Sequence, residues 1–157
     1  MTARADKTAS GGATFGLAAE TDVPALVAID SASPQGWTAK AFSAELKNDP
    51  PTLFVLRSAG QVLAFVVARL QTPELDIVNL AVARDHRRRG RGRLLLRSLL
   101  DHAAPAGVSS VFLEVREGNQ EARALYGGFG FRETQRRRGF YREPVEDAIL
   151  MRLEIEP

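Results

Sequence analysis

The sequence predicts a mixed α/β domain in which helices pack on a twisted sheet. Three observations predict it. Two apolar runs, "TLFVLRS" and "QVLAFVVARLQ", flank Ala59-Gly60, which is a hairpin signal. "LDIVNLAVA" (Leu75–Ala83) leads through an arginine–glycine stretch into leucines at helical spacing. "VSSVFLEVR" then alternates as a strand should and is followed by the helix-like "NQEARALYGG".

The elements follow in order. "TFGLAAE" (Thr14–Glu20) reads as a first strand. "TDVPALVAIDSAS" reads as a helix capped by Thr21 or Asp22, with Pro24 in its first turn. "PQGW" breaks it, and "TAKAFSAELKN" is a second short helix with Thr38 as cap. The hairpin comes next, then Leu75–Ala83, apolar enough to predict burial on both faces. A helix from about Arg91 to Ala104 carries Leu95, Leu96, Leu99, Leu100 and Ala103 as its stripe, and Pro105 and Gly107 end it. In the next strand Val111, Leu113 and Val115 share one face, with Phe112, Glu114 and Arg116 on the other. Asn119 caps a helix that stops at Gly127-Gly128, and "FRETQRRRGFY" and "EDAILMRLEI" close the chain as strands.

A chain of 157 residues suits one domain, expected over residues 14–157, with residues 1–13 a disordered lead. Hydrophobic content of 45% and charged content of 25% are those of an ordinary globular protein. No apolar run is long enough to cross a bilayer, and the first residues lack the apolar core of a secretory signal, so the expectation is a cytoplasmic protein without a membrane partner. With no cysteine there is no disulfide, thiolate ligand or cysteine nucleophile. The two histidines, His86 and His102, read as surface residues, so no metal is expected.

The arginine–glycine stretch is the most informative segment. A strand, a glycine-rich turn and a helix together present unpartnered backbone N–H groups to an anion, and the helix dipole adds to the attraction. Gly90 and Gly92 let the backbone approach a phosphate. The pattern lacks the Gly-Lys-Ser/Thr of a nucleotide loop and the three glycines of a dinucleotide fingerprint. Arg87-Arg88-Arg89-Gly90-Arg91-Gly92 instead matches Arg/Gln-x-x-Gly-x-Gly/Ala, and in this it resembles the pyrophosphate loop of the GNAT acetyltransferase superfamily. The plainer reading is a basic loop capping an amphipathic helix.

The resemblance extends over about residues 14 to 155. "NLAV" (Asn79–Val82), "FLEVREGNQEARALYGGFGF" (Phe112–Phe131), "GFYREPVEDAILM" (Gly139–Met151) and "PQGWTAKAF" are similar to segments of one subfamily, the ribosomal-protein-alanine N-acetyltransferases of the RimI type. The chain departs from that subfamily in its richer arginine loop and in Gly127-Gly128, which replaces bulkier helix formers. The resemblance implies the GNAT fold, a twisted sheet of about six to seven strands flanked by about four helices. It implies acetyl transfer from acetyl-CoA to the N-terminal amine, typically of alanine, of a small-subunit ribosomal protein. Lysine side chains or small-molecule amines are the alternative acceptors. Members of this type often work near the tRNA threonylcarbamoyl machinery, which makes that machinery a candidate partner.

The resemblance also assigns roles. Glu114 is the candidate base, since a free α-amine with pKa of roughly 7.7–8.0 is largely charged at neutral pH. A surface glutamate on a half-exposed sheet is the alternative. Tyr126 is the candidate acid for the coenzyme A thiolate, or else a core aromatic. Leu80, Ala81 and Val82 would meet the pantetheine arm through main-chain groups, like an added strand. Arg87, Arg88, Arg89, Gly90, Arg91, Gly92 and Arg93 would surround the pyrophosphate. Asn119 can cap its helix and, compatibly, contact the coenzyme, and Trp37 and Tyr141 border the acceptor or pack in the core. Without a cysteine, direct transfer in a ternary complex is expected. A nucleic-acid module built on "RDHRRRGRGR" and "RETQRRR" is the rival reading, weakened by sparse aromatic interleaving, so no specific nucleic acid is expected.

Overall fold

The structure, a computed structural model, describes residues 7–8, 12–33 and 36–156. It holds eight strands and four α-helices: β1 (Lys7–Thr8), β2 (Thr14–Leu17), α1 (Val23–Asp30), α2 (Ala39–Glu45), β3 (Leu53–Ser58), β4 (Gln61–Gln71), β5 (Glu74–Val82), α3 (Arg91–Ala103), β6 (Ser110–Arg116), α4 (Gln120–Gly128), β7 (Arg132–Arg142) and β8 (Val145–Glu154). This is the expected GNAT-type complement, with the two-residue β1 as an addition. β1 comes from the stretch read as a disordered lead, where Lys7 and Thr8 pair antiparallel with Phe15 and Thr14. Residues 1–6 and 9–11 of that lead lie outside the described residues, as do Pro34 and Gln35 of the "PQGW" segment.

The chain divides into two compact units, residues 1–69 with 79–101 and residues 70–78 with 102–157. In the first, β2, β3 and β4 form an antiparallel run. Ala59 and Gly60 both turn with positive φ (50° and 77°), the geometry that closes a two-residue hairpin in step with strand twist. Thr38 caps α2 by accepting the Ala41 N–H at 3.1 Å, as its sequence position predicts. Asp22 instead turns its carboxylate onto both Arg57 nitrogens at 2.9 and 2.8 Å and onto the Ala19 N–H at 2.8 Å. Leu26, Ile29, Phe42, Leu53, Val55, Phe65 and Val67 form the core of this unit. Phe42 stands edge-on to Phe65 at 5.3 Å, and its removal is worth about 3–5 kcal/mol.

In the second unit β5 pairs in parallel with β6, β6 antiparallel with β8, and β8 with β7. The expected β6 alternation is present: Val111, Leu113 and Val115 are buried and Glu114 is exposed. β5 corrects an expectation. It alternates over its first half, with Leu75 and Ile77 buried while Asp76 and Val78 are exposed, so it is not buried on both faces. The registered β5–β6 pairs run from Glu74–Ser110 to Ile77–Leu113, whereas β5 continues to Val82 and β6 to Arg116. A 3₁₀ turn, Ala104–Ala106, follows α3 and ends at Gly107 with φ of 94°. Among the described residues no helix is long and apolar enough to cross a membrane.

Candidate active site

The first unit presents the loop between β5 and α3. Arg84–His86 form a single 3₁₀ turn, and the chain then reaches α3 through Arg88 and Gly90, both left-handed with φ of 62° and 73°. Such a conformation suits glycine and strains arginine by roughly 1–2 kcal/mol. The Gly90 carbonyl accepts the Leu94 N–H at 3.0 Å, so α3 begins there and the N–H groups of Arg91 and Gly92 come before that first intrahelical bond. A Cβ on Gly90 would meet nothing within 4 Å. The glycine therefore serves the backbone turn and leaves the space in front of it open. The Arg91 Nε is buried with no hydrogen-bond partner. A buried cationic donor without an acceptor, at a helix start, fits an anion.

Arg87 donates its Nε to the Val82 carbonyl at 3.1 Å, tying the loop back onto β5. The Val82 carbonyl accepts that one hydrogen bond and keeps a second lone pair, so the pantetheine reading of Leu80, Ala81 and Val82 stands as it was. All three residues are half-buried.

Trp37 is half-buried and packs on Phe42 with ring centroids 5.4 Å apart, so its indole leans on the core with part of its surface exposed. Its backbone is held by a residue that sequence reading missed. The Asp30 carboxylate, only 2% exposed, accepts the Trp37 N–H at 2.7 Å and the Asn79 side-chain amide at 3.1 Å on the same oxygen. The signal was available: a carboxylate closing the apolar "VPALVAID" must find donors if it is buried.

The second unit gathers the proton-handling candidates. Glu114 projects from the face of β6 opposite the core, its side chain 35% exposed, with Arg137 of β7 at 3.5 Å. Tyr126 lies on α4, 6% exposed, edge-on to Phe131 at 5.4 Å. Burial pushes its phenol well above the usual tyrosine value, so it stays protonated. Asn119 accepts the Ala122 N–H at 3.1 Å and caps α4, the safer of its two readings. Tyr141 sits beneath Arg116, whose guanidinium carbon is 4.1 Å from the ring centre. Its phenol is also raised, first by burial and then by the Glu114 charge, which places the two in one electrostatic neighbourhood.

Of the five arginines on β7, two are paired with acids. Arg136 reaches Glu117 at 2.5 Å and Asp147 at 3.0 Å, and Arg137 faces Glu114. This removes part of the support for a polyanion surface there. Among the described residues no group of three or more His, Asp or Glu side chains could hold a metal ion.

Comparison with known proteins agrees with this arrangement. The profile of the acetyltransferase (GNAT) family matches residues 23–131. The [ribosomal protein bS18]-alanine N-acetyltransferase of Escherichia coli K12 is 37% identical over 138 residues, covering 86% of this chain and 93% of that protein. The N-alpha-acetyltransferase RimI of Mycobacterium tuberculosis is 39% identical over 120 residues, 74% of each chain. The crystal structure of the ribosomal-protein-S18-alanine N-acetyltransferase from Escherichia coli superposes with a TM-score of 0.85 at 34% identity, over 92% of this chain and 95% of that one.

Proposed function

Because the chain belongs to the acetyltransferase (GNAT) family, we propose that it moves the acetyl group of acetyl-CoA to the N-terminal amine, preferentially of alanine, of a small-subunit ribosomal protein. One observation carries the coenzyme half of this reading: Arg88 and Gly90, both left-handed, turn the backbone into the open N-terminus of α3 beside the unpartnered Arg91 Nε. The pyrophosphate of the coenzyme is the anion this cradle suits. The likeness to proteins named for S18-alanine acetylation supports the acceptor half.

In this reading the amine nitrogen attacks the thioester carbonyl, a C–N bond forms and the C–S bond breaks. Glu114, exposed and acceptor-only when ionised, takes the ammonium proton directly or through a water. Tyr126 donates to the leaving sulfur. Its raised pKa makes it a weak outright acid, so its contribution begins as a hydrogen bond and becomes proton transfer only as charge concentrates on sulfur. Leu80, Ala81 and Val82 would align the pantetheine arm, and Trp37 and Tyr141 would flank the acceptor. The chain would act in the cytoplasm as a single domain over residues 14–157, with the tRNA threonylcarbamoyl machinery as a candidate neighbour.

The test is acetylation of two peptides of equal length, followed by mass spectrometry. One begins with a free alanine and has no lysine; the other has a blocked N-terminus and an internal lysine. Transfer to the first alone is expected. Transfer to the second alone would replace this acceptor with a lysine side chain, and transfer to neither at pH 7–9 would overturn the peptide reading.

A further inference from the structure

We propose that Glu146 is a positioning residue for acetyl transfer, one carboxylate that seats Tyr141 and fixes the start of the helix carrying Tyr126. The inference rests on the reading above and concerns the second unit alone. Glu146 lies near the start of β8, half-buried, as the register partner of Tyr141. Its Oε2 accepts the Gly118 N–H at 2.5 Å, and its Oε1 accepts from Arg116 Nη1 at 3.2 Å. Each oxygen therefore serves a different side of the site.

The Gly118 contact controls α4. Gly118 immediately precedes Asn119, whose side chain caps that helix. A Cβ at Gly118 would stand 2.6 Å from the Glu146 oxygen, so a side chain there would make the carboxylate shift from its present contact. The carboxylate thereby sets where α4 begins, and Tyr126 lies two turns further on.

The Arg116 contact controls Tyr141. Arg116 covers the Tyr141 ring at 4.1 Å, and its other terminal nitrogen is buried with no hydrogen-bond partner. The ring face is the neighbour left to that nitrogen. An arginine held only by a ring face and a long 3.5 Å approach to the Pro144 carbonyl would swing toward solvent. The Glu146 oxygen stops it. Arg116 and Glu114 are alternate residues on one face of β6, so this pose also sets what stands beside the candidate base.

The experiment uses the full chain with Glu146→Gln, Glu146→Ala, Arg116→Met and the Glu146→Ala/Arg116→Met double variant. Four quantities are read: kcat, KM for an alanine-initiated peptide, acetyl-CoA affinity by calorimetry, and amide hydrogen exchange at Gly118. Arg116→Met is expected to raise peptide KM about fivefold with kcat held. Glu146→Ala should raise KM as much, lower kcat about tenfold and speed Gly118 exchange at least tenfold, with acetyl-CoA affinity within twofold. The double variant should be no worse in KM than either single change, because Glu146 acts there through Arg116. Glu146→Gln keeps one acceptor oxygen and should recover part of the kcat loss. Unchanged Gly118 exchange in both Glu146 variants, or fully additive KM effects, overturns the proposal. Where the unsubstituted chain acetylates no peptide, the acceptor reading falls and Gly118 exchange alone decides on Glu146.

Discussion

Trp37 donates its backbone N–H to the Asp30 carboxylate at 2.7 Å. The same oxygen takes the Asn79 side-chain amide, so the end of α1, the Trp37 segment and β5 share one acceptor. Asp30→Ala leaves two donors without a partner and should cost about 2–4 kcal/mol in urea unfolding. Asp30→Asn keeps an acceptor oxygen and should cost about half as much. Equal losses for the two would show that the oxygen is not what matters.

Gly90 gives a second prediction. Its left-handed φ strains any side chain by about 1–2 kcal/mol, although a Cβ there has room. Gly90→Val should remain folded, with a lowered melting temperature, and lose most acetyl-CoA affinity in calorimetry. Arg84→Ala lies in the preceding 3₁₀ turn and should bind within about twofold of the unsubstituted chain.

Tyr126 links catalysis to alkaline stability. Its folded pKa is raised by burial, so above pH ~10 the unfolded chain releases a proton that the folded chain retains. The stabilisation is complete below the unfolded pKa and is lost as pH rises past it, by up to about 1.4 kcal/mol per pH unit. Tyr126→Phe should therefore flatten the alkaline fall in stability measured by denaturant between pH 9 and 11. It should also lower kcat by about 10²-fold or more at neutral pH. A full alkaline fall in Tyr126→Phe assigns the titration elsewhere.

Asp22 gives the opposite sign. The Arg57 hydrogen bonds hold its carboxyl below the usual aspartate value, against the cost of burial. Its stabilisation is present above the unfolded pKa and fades as pH falls through the folded one. Asp22→Asn should cost about 1–3 kcal/mol at pH 7 and progressively less as pH falls below the unfolded aspartate pKa, read from urea midpoints.

Glu114→Gln separates chemistry from folding. The Arg137 partner is 3.5 Å away and half-exposed, so that pair contributes only about 0–1 kcal/mol. The variant should melt within a degree or two of the unsubstituted chain while kcat falls by about 10²-fold or more. A kcat near that of the unsubstituted chain removes Glu114 as base.

Periodicity and caps made most of the fold legible. Thr38 and Asn119 stand where the helices they cap begin, and Val111, Leu113 and Val115 share the buried face their spacing requires. β5 misled because apolar content says nothing about which strand stands beside it, and Val78 is exposed. The loop around Gly90 was legible because glycine at a helix start has few uses. Glu146 was not, and for Asp30 only the need for donors was, since the partners Gly118, Arg116, Trp37 and Asn79 are fixed by turns and register that no local spacing encodes. The tie from Arg87 Nε to the Val82 carbonyl was hidden for the same reason.

The left-handed residues Arg88 and Gly90 also bear on kinetics. A cradle shaped by its own backbone has little ordering left to do when a coenzyme arrives. Association should then follow a single bimolecular step, with the observed rate linear in coenzyme concentration and no slow isomerisation phase. The surrounding arginines would act on the encounter, so the on-rate should drop as salt is added while the off-rate barely moves.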